Sequence, residues 1–198
     1  MPVPDRIYGN WDFGDYGGWS AAEVACYSGE PDLVKVLKLR PDPETLQELL
    51  YRVTWHPSVE VMKELIRRVP RADLNAGERN SCKAVEKIVD RRPDLFGFRG
   101  MTAQQEDESL AGCLEVLLDA GARWNPDVEQ IGSARRDFVR NSPGYVVRVL
   151  RLLLYVPGAA DRAAIAELCR TPVIRRKIYE GDRVLANELD ELLAETTS

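Results

Sequence analysis

Short amphipathic helical segments, each stopped by Gly or Pro, recur along this chain, and that recurrence decides most of what it can fold into. The first pair is the clearest. Ser20 can cap a helix, with Glu23 three residues on as the reciprocal capping partner. Val24, Ala25 and Cys26 then form an apolar face, and Gly29 closes the helix. Asp32 opens a second helix with Leu33, Val34, Val36 and Leu37 on its face, until Pro41 stops it. Two antiparallel helices this short cannot bury their faces alone, because isolated short helices are marginal in water. They need neighbours of the same kind.

The neighbours follow in the sequence. Leu46, Leu49, Leu50 and Val53 mark one helix; Val59, Met62, Leu65 and Ile66 mark its partner after the His56-Pro57 turn. Ala84, Val85, Ile88 and Val89 form a third inner helix, and Leu110, Leu114, Leu117 and Leu118 its delayed partner. The intervening stretch from Arg91 to Glu108 holds Pro93, Gly97 and Gly100 and reads as an inserted loop. A fourth pair uses Ile131, Phe138 and Val139, then Val146, Val149, Leu150, Leu153 and Leu154. The last runs through Ala164, Ile165, Leu168 and Cys169, then Val184, Leu185, Leu189, Leu192 and Leu193. No alternating β-branched run is long enough for a sheet. Residues 1–18, with four glycines and no helical period, read as an extended segment ahead of a domain spanning 19–198. The expected class is therefore all-α, with about five stacked antiparallel helix pairs.

Bulk properties narrow the function. With 198 residues, one domain or one short array is the natural size. A net charge of -5 argues against a dedicated nucleic-acid binder, which needs a basic surface, and would suit a basic partner. No apolar run approaches the ~18 residues of a membrane span. Met1-Pro2-Val3-Pro4-Asp5-Arg6 has no basic segment followed by an apolar one, so no signal peptide is expected. Cys26, Cys82, Cys113 and Cys169 form no C-x-x-C pair and fall in apolar helical patterns. Free buried thiols in a cytoplasmic, reducing setting are expected, rather than a disulfide frame or a zinc site. Arginine outnumbers lysine 21 to 6, which would fit a GC-rich bacterial source.

Residues Gly18-Trp19-Ser20-Ala21-Ala22-Glu23-Val24-Ala25-Cys26-Tyr27-Ser28-Gly29 resemble the ankyrin repeat, with its Gly, its T-P-L-H-x-A helix start and its closing Gly. Ser20 stands where the family has its capping Thr, Ala21 replaces the Pro, and Glu23 replaces the His. A second match, Leu114 to Asn125, looks like the end of an outer helix followed by the family's Gly-Ala-Asp-x-Asn turn. There Gly121 would take the left-handed conformation, and Arg123 replaces the usual Asp. Ala72-Asp73-Leu74-Asn75 and Gly158-Ala159-Ala160-Asp161 are fainter echoes. The resemblance implies an ankyrin-like solenoid that holds a protein partner on its concave face. The middle repeats lack the T-P-L-H motif, and the spacing drifts around the family's ~33 residues.

Exposed aromatics and arginines are the usual anchors of an interface. On those grounds the candidate partner-binding residues are Trp11, Tyr16, Trp19, Tyr51, Trp55, Arg79, Arg123 and Trp124. Each has a second reading. Trp11 and Tyr16 could tuck the N-terminal segment onto the first pair, Trp19 could cover the end of the core, and Trp55 could pack at a repeat junction. The resemblance implies a core role for Trp124. Arg123 reverses charge at a loop tip where the family is commonly acidic.

Catalytic chemistry finds little support. His56 is the only histidine and sits in a turn, and Cys82 lies in a core pattern. No phosphate-binding glycine loop or nucleophile-elbow motif occurs. Glu106-Asp107-Glu108 reads as helix N-terminal charge, and Glu188, Asp190 and Glu191 as a polar helix face. Arg67-Arg68, Arg135-Arg136 and Arg175-Arg176-Lys177 read as solvated faces or as ion pairs with nearby carboxylates. The expectation is a non-enzymatic, cofactor-free and metal-free module, monomeric or in a heterocomplex. It would bind a toxin or enzyme as an immunity protein, antitoxin or inhibitor, or act as a regulatory or scaffold subunit of a larger complex.

Overall fold

The computed structural model describes residues 19–37, 41–68, 74–77, 80–91 and 101–195. Among them the fold is all-α, with eleven helices and no strand. They are α1 (Ala21–Ser28), α2 (Pro31–Leu37), α3 (Pro43–Val53), α4 (Val59–Ile66), α5 (Lys83–Val89), α6 (Ala103–Asp119), α7 (Val128–Phe138), α8 (Pro143–Tyr155), α9 (Arg162–Cys169), α10 (Pro172–Gly181) and α11 (Arg183–Glu195).

Local chemistry sets where they start. Ser20 and Glu23 form the reciprocal box that begins α1, and Thr102 with Gln105 and Asp127 with Gln130 do the same for α6 and α7. Asp42, Ser58, Ser142 and Asp161 cap α3, α4, α8 and α9. Pro43, Pro143 and Pro172 occupy first-turn positions, where their missing N–H costs nothing.

Packing sorts the helices into two rows. In the inner row α1 packs on α3 and α3 on α5, and further along α7 packs on α9 and α9 on α11. In the outer row α2, α4, α6, α8 and α10 pack in succession. One continuous apolar core lies between the rows, from Ala25 and Cys26 to Leu189 and Leu192. Small residues allow close approach: a Cβ on Gly112 of α6 would stand 2.8 Å from the Val59 methyl of α4. Gly121 has φ 97° and follows α6, the left-handed stop its sequence predicts.

Three expectations need correction. The stretch 91–108 is not a loop throughout, because α6 starts at Ala103; the Thr102/Gln105 box was hidden beneath a polar composition. Residues 92–100 lie outside the described set. The outer partner of α9 is α10, and α11 extends the inner row, so the final unit has three helices. The basic run Arg175-Arg176-Lys177 masked α10, whose buried side is only Ile174 and Ile178. Finally, the α2 face is mostly open: Val34 is buried, but Leu33 is 48% and Val36 75% exposed. As part of the first helix pair, α2 packs against α1 and α4 without an outer neighbour on its far side among the described residues.

Candidate interaction site

Three inner-row helices and one loop enclose a hollow of about 500 Å³. Its walls are Glu48 and Tyr51 of α3, Lys83, Glu86 and Lys87 of α5 with Asp90 at its end, Trp124, and Gln130 and Ala134 of α7. The spacing on each helix is three or four residues, which places these side chains on one face. The opposite faces of the same helices supply the core through Leu46, Leu50, Val85, Ile88 and Ile131.

A second cluster adjoins Tyr51. The Arg52 guanidinium lies 4.3 Å from the Trp19 ring centroid, 5.5 Å from that of Trp55 and 6.0 Å from that of Tyr51. It also pairs with Glu48 at 2.8 Å and Glu23 at 3.4 Å. Tyr51 and Trp55 meet edge to face at 5.9 Å, and Trp19 meets Tyr27 at 5.3 Å. Three predicted anchors, Trp19, Tyr51 and Trp55, thus converge on one cation that sequence reasoning missed. The Glu48/Arg52 spacing on α3 was the available signal.

The loops before the inner helices hold one another through backbone groups. Cys82 N–H donates to the Arg123 carbonyl at 3.0 Å, and Trp124 N–H donates to Ala159 at 2.7 Å. Asn75 accepts from Arg123 N–H at 2.8 Å and donates to the Gly121 carbonyl at 2.9 Å. Trp124 and Ala160 form an isolated parallel bridge. Arg123 therefore has a fixed backbone and an exposed side chain beside the first turn of α5. Its neighbour Trp124 does not serve as an open anchor. It is only 2% exposed and belongs to the core, presenting little more than an edge to the hollow. Trp11, Tyr16 and Arg79 lie outside the described residues.

Behind the hollow, Arg91 ties three helices together. It is buried at the end of α5 and pairs with Glu106 at 2.8 Å and with Asp107, both in α6. Its guanidinium lies 4.9 Å from the Tyr145 ring centroid of α8. Tyr145 O–H donates to the Ile88 carbonyl at 2.7 Å, and Ser142 O–H donates to Asp107 at 2.8 Å. Burial pushes the Glu106 carboxyl above its ordinary range, against the pull of Arg91. The acidic run at 106–108 is thus partly an internal ion-pair group rather than helix-dipole charge alone.

Many of the remaining clustered charges are paired as well. Arg67 and Arg68 bind Glu64, Arg135 binds Glu167, and Arg175 binds Asp190. Glu188 and Asp190 accept from the hydroxyls of Tyr155 and Tyr179. His56 packs its ring near Tyr27, in the turn after α3. Cys82 caps α5 instead of lying within it, yet it is fully buried, as are the other three thiols. Among the described residues no group of His, Cys, Asp and Glu has the arrangement of a metal site, and no helix is long and apolar enough to cross a membrane.

The chain matches no family model, and no curated protein or solved structure is significantly similar to it.

Proposed function

We propose that this chain is a divergent ankyrin-like solenoid, closed by α11, that binds one protein partner on the concave side formed by its inner row and loop tips. The carrying observation is the hollow across α3, α5 and α7, lined mostly by polar side chains and Tyr51, which lie outside the apolar core, with Trp124 and Ala134 of the core at its base. Two-row helix packing, capped inner helices and hydrogen-bonded preceding loops support the ankyrin-like reading. The inner helices begin at 21, 43, 83, 128, 162 and 183, so the repeats are unequal in length. The turn echoes noted in the sequence are spatial neighbours, since Asn75 contacts Gly121 and Arg123, and Trp124 contacts Ala159. Four buried, free thiols favour a cytoplasmic setting.

In this role the protein acts by occupancy and not by catalysis. A rigid face built on helices holds the partner with little ordering cost, which favours affinity. An immunity protein, antitoxin or inhibitor works in this way, and so does a regulatory or scaffold subunit. The test is capture of the tagged chain with its partner from the native source, followed by mass spectrometry. One protein should co-purify, should be lost with Tyr51→Ala or Arg123→Glu, and should be kept with Arg176→Glu on the outer row. Its identity separates a toxin from a larger assembly. Capture insensitive to the inner-row changes, or no co-purifying protein, would overturn the proposal.

A further inference from the structure

We infer that residues 1–18 cap the first helix pair, laying Trp11 and Phe13 across the exposed face of α2 at Leu33 and Val36. Those two residues are three apart, so they share one side of the helix. Both are exposed, whereas Val34 between them is fully buried. Of the eight large hydrophobics exposed among the described residues, three belong to this first pair: Val24, Leu33 and Val36. An end unit of a helical array has no neighbour beyond it and needs a polar outer face. The far end meets that need, since α11 exposes Arg183, Asn187 and Glu191 at helical spacing. The α2 end does not: its exposed ion pair, Lys35 on Asp32, shares the helix surface with two apolar side chains.

The chain that enters the stack at this end supplies the cover. Residues 1–18 join α1 through Trp19, and α2 packs directly on α1. They carry Tyr8, Trp11, Phe13 and Tyr16, four aromatics in 18 residues where the whole chain averages 8%. With four glycines and no helical period, the segment builds no core of its own, so its rings need a surface from elsewhere. Eight residues separate Trp11 from Trp19, up to about 27 Å of extended chain. Packed helices lie about 8–10 Å apart, so α2 is well within reach. In an extended chain the side chains of Trp11 and Phe13 point to one side, matching the paired Leu33 and Val36. A segment tethered this closely has a local concentration on the order of millimolar. That favours it over a second copy of the chain or a separate partner. The assignment takes Trp11 out of the partner-binding set and is independent of the role proposed for the inner-row hollow.

Limited chymotrypsin digestion of the full chain tests this, because the four aromatics are its cleavage points and cutting follows the population of the undocked segment. Cuts at Tyr8, Trp11, Phe13 and Tyr16, read by mass spectrometry, should be slow in the native protein. They should be at least about tenfold faster in Leu33→Asp/Val36→Asp and also faster in Leu33→Ser/Val36→Ser, which adds no charge. Val173→Asp, at another exposed valine, should leave the segment protected. In the converse arm, Trp11→Ala/Phe13→Ala should speed deuterium exchange of the α2 amides and leave α8 unchanged. Circular dichroism melting checks the folding of each variant. Should the α2 variants not fold, the exchange arm decides alone, and α2 amides indifferent to Trp11 and Phe13 sink the inference. Rapid cutting of the native chain, or slow cutting indifferent to both α2 variants, overturns it. So does protection lost with Tyr51→Ala instead, which seats the segment on the aromatic group around Arg52. A dimer in sedimentation velocity that Leu33→Asp/Val36→Asp dissolves, with cutting unchanged, assigns the face to a second copy and overturns it too.

Discussion

Arg123 and Trp124 are adjacent in the chain, and the backbone bonds on either side of them turn one outward and the other inward. Trp124→Ala should therefore cost about 3–5 kcal/mol, as other large-to-small core changes do, read as a lower urea midpoint. Arg123→Glu should leave the melting temperature nearly unchanged, because exposed charges add little to stability. Equal destabilisation by the two would contradict the loop geometry. Gly29 is a second position where one atom matters. Its φ of 76° is left-handed, and an added Cβ would lie 2.7 Å from His56 Nδ1. Gly29→Ala should lose at least ~1 kcal/mol, from the backbone alone, with further loss as the His56 ring is displaced. A neutral result in thermal melting would mean that this turn relaxes freely.

At the level of elements, what joins α5, α6 and α8 is electrostatic as well as apolar. Arg91 is buried with Glu106 and flanked by Asp107, so removing the cation alone strands negative charge out of water. Arg91→Met should destabilise by about 3–5 kcal/mol, and Arg91→Met with Glu106→Met and Asp107→Ala should recover much of it. Chemical denaturation of the two variants checks this; a triple variant no better than the single one would show that the guanidinium acts through packing on Tyr145 instead. Element boundaries were legible wherever a cap was isolated, as at Ser20. They were lost where polar composition hid a cap, as at Thr102, or where a basic run covered a thin apolar face, as in α10. Two buried isoleucines are too few to stand out against Arg175, Arg176 and Lys177.

For the whole molecule, pH and thiol chemistry report on the same burial. The Thr45 backbone N–H holds the Asp42 carboxyl below its ordinary range. Arg68 does so for Glu64, and the Tyr179 hydroxyl for Asp190. Groups lowered in the folded state stabilise it fully above their unfolded values of about 4, and that contribution is lost as pH falls through the folded values. Glu106 runs the other way: raised by burial, it favours the fold at low pH and loses that contribution as pH rises through its folded value. Asp182 is lowered too, against desolvation by its burial, by the Leu185 backbone N–H and Arg151; four depressed carboxyls against one raised predict a net loss of stability below about pH 4, measurable as a falling melting temperature by circular dichroism. A flat profile from pH 6 to pH 3 would refute the carboxylate pairings. Burial also pushes Cys26, Cys113 and Cys169 up to about 12 and Cys82 to about 11. An aromatic disulfide reagent should label none of them rapidly at neutral pH in the native protein and all four in denaturant. Fast native labelling of any one would show that its helix opens locally.

The periodicity of apolar residues and the capping chemistry were enough to determine an all-α chain of short paired helices, because both act within a few residues of one another. They also determined that the thiols would be core, since each fell among neighbours that had to be buried. They could not decide which polar faces meet. Arg52 stacked on Trp19 of a neighbouring helix turn and Arg91 set between two carboxylates of α6 both depend on helices brought together from separate parts of the chain. Side-chain pairing of that kind follows from the packed stack of helices. A run of sequence carries the charges but not the neighbours that cancel them.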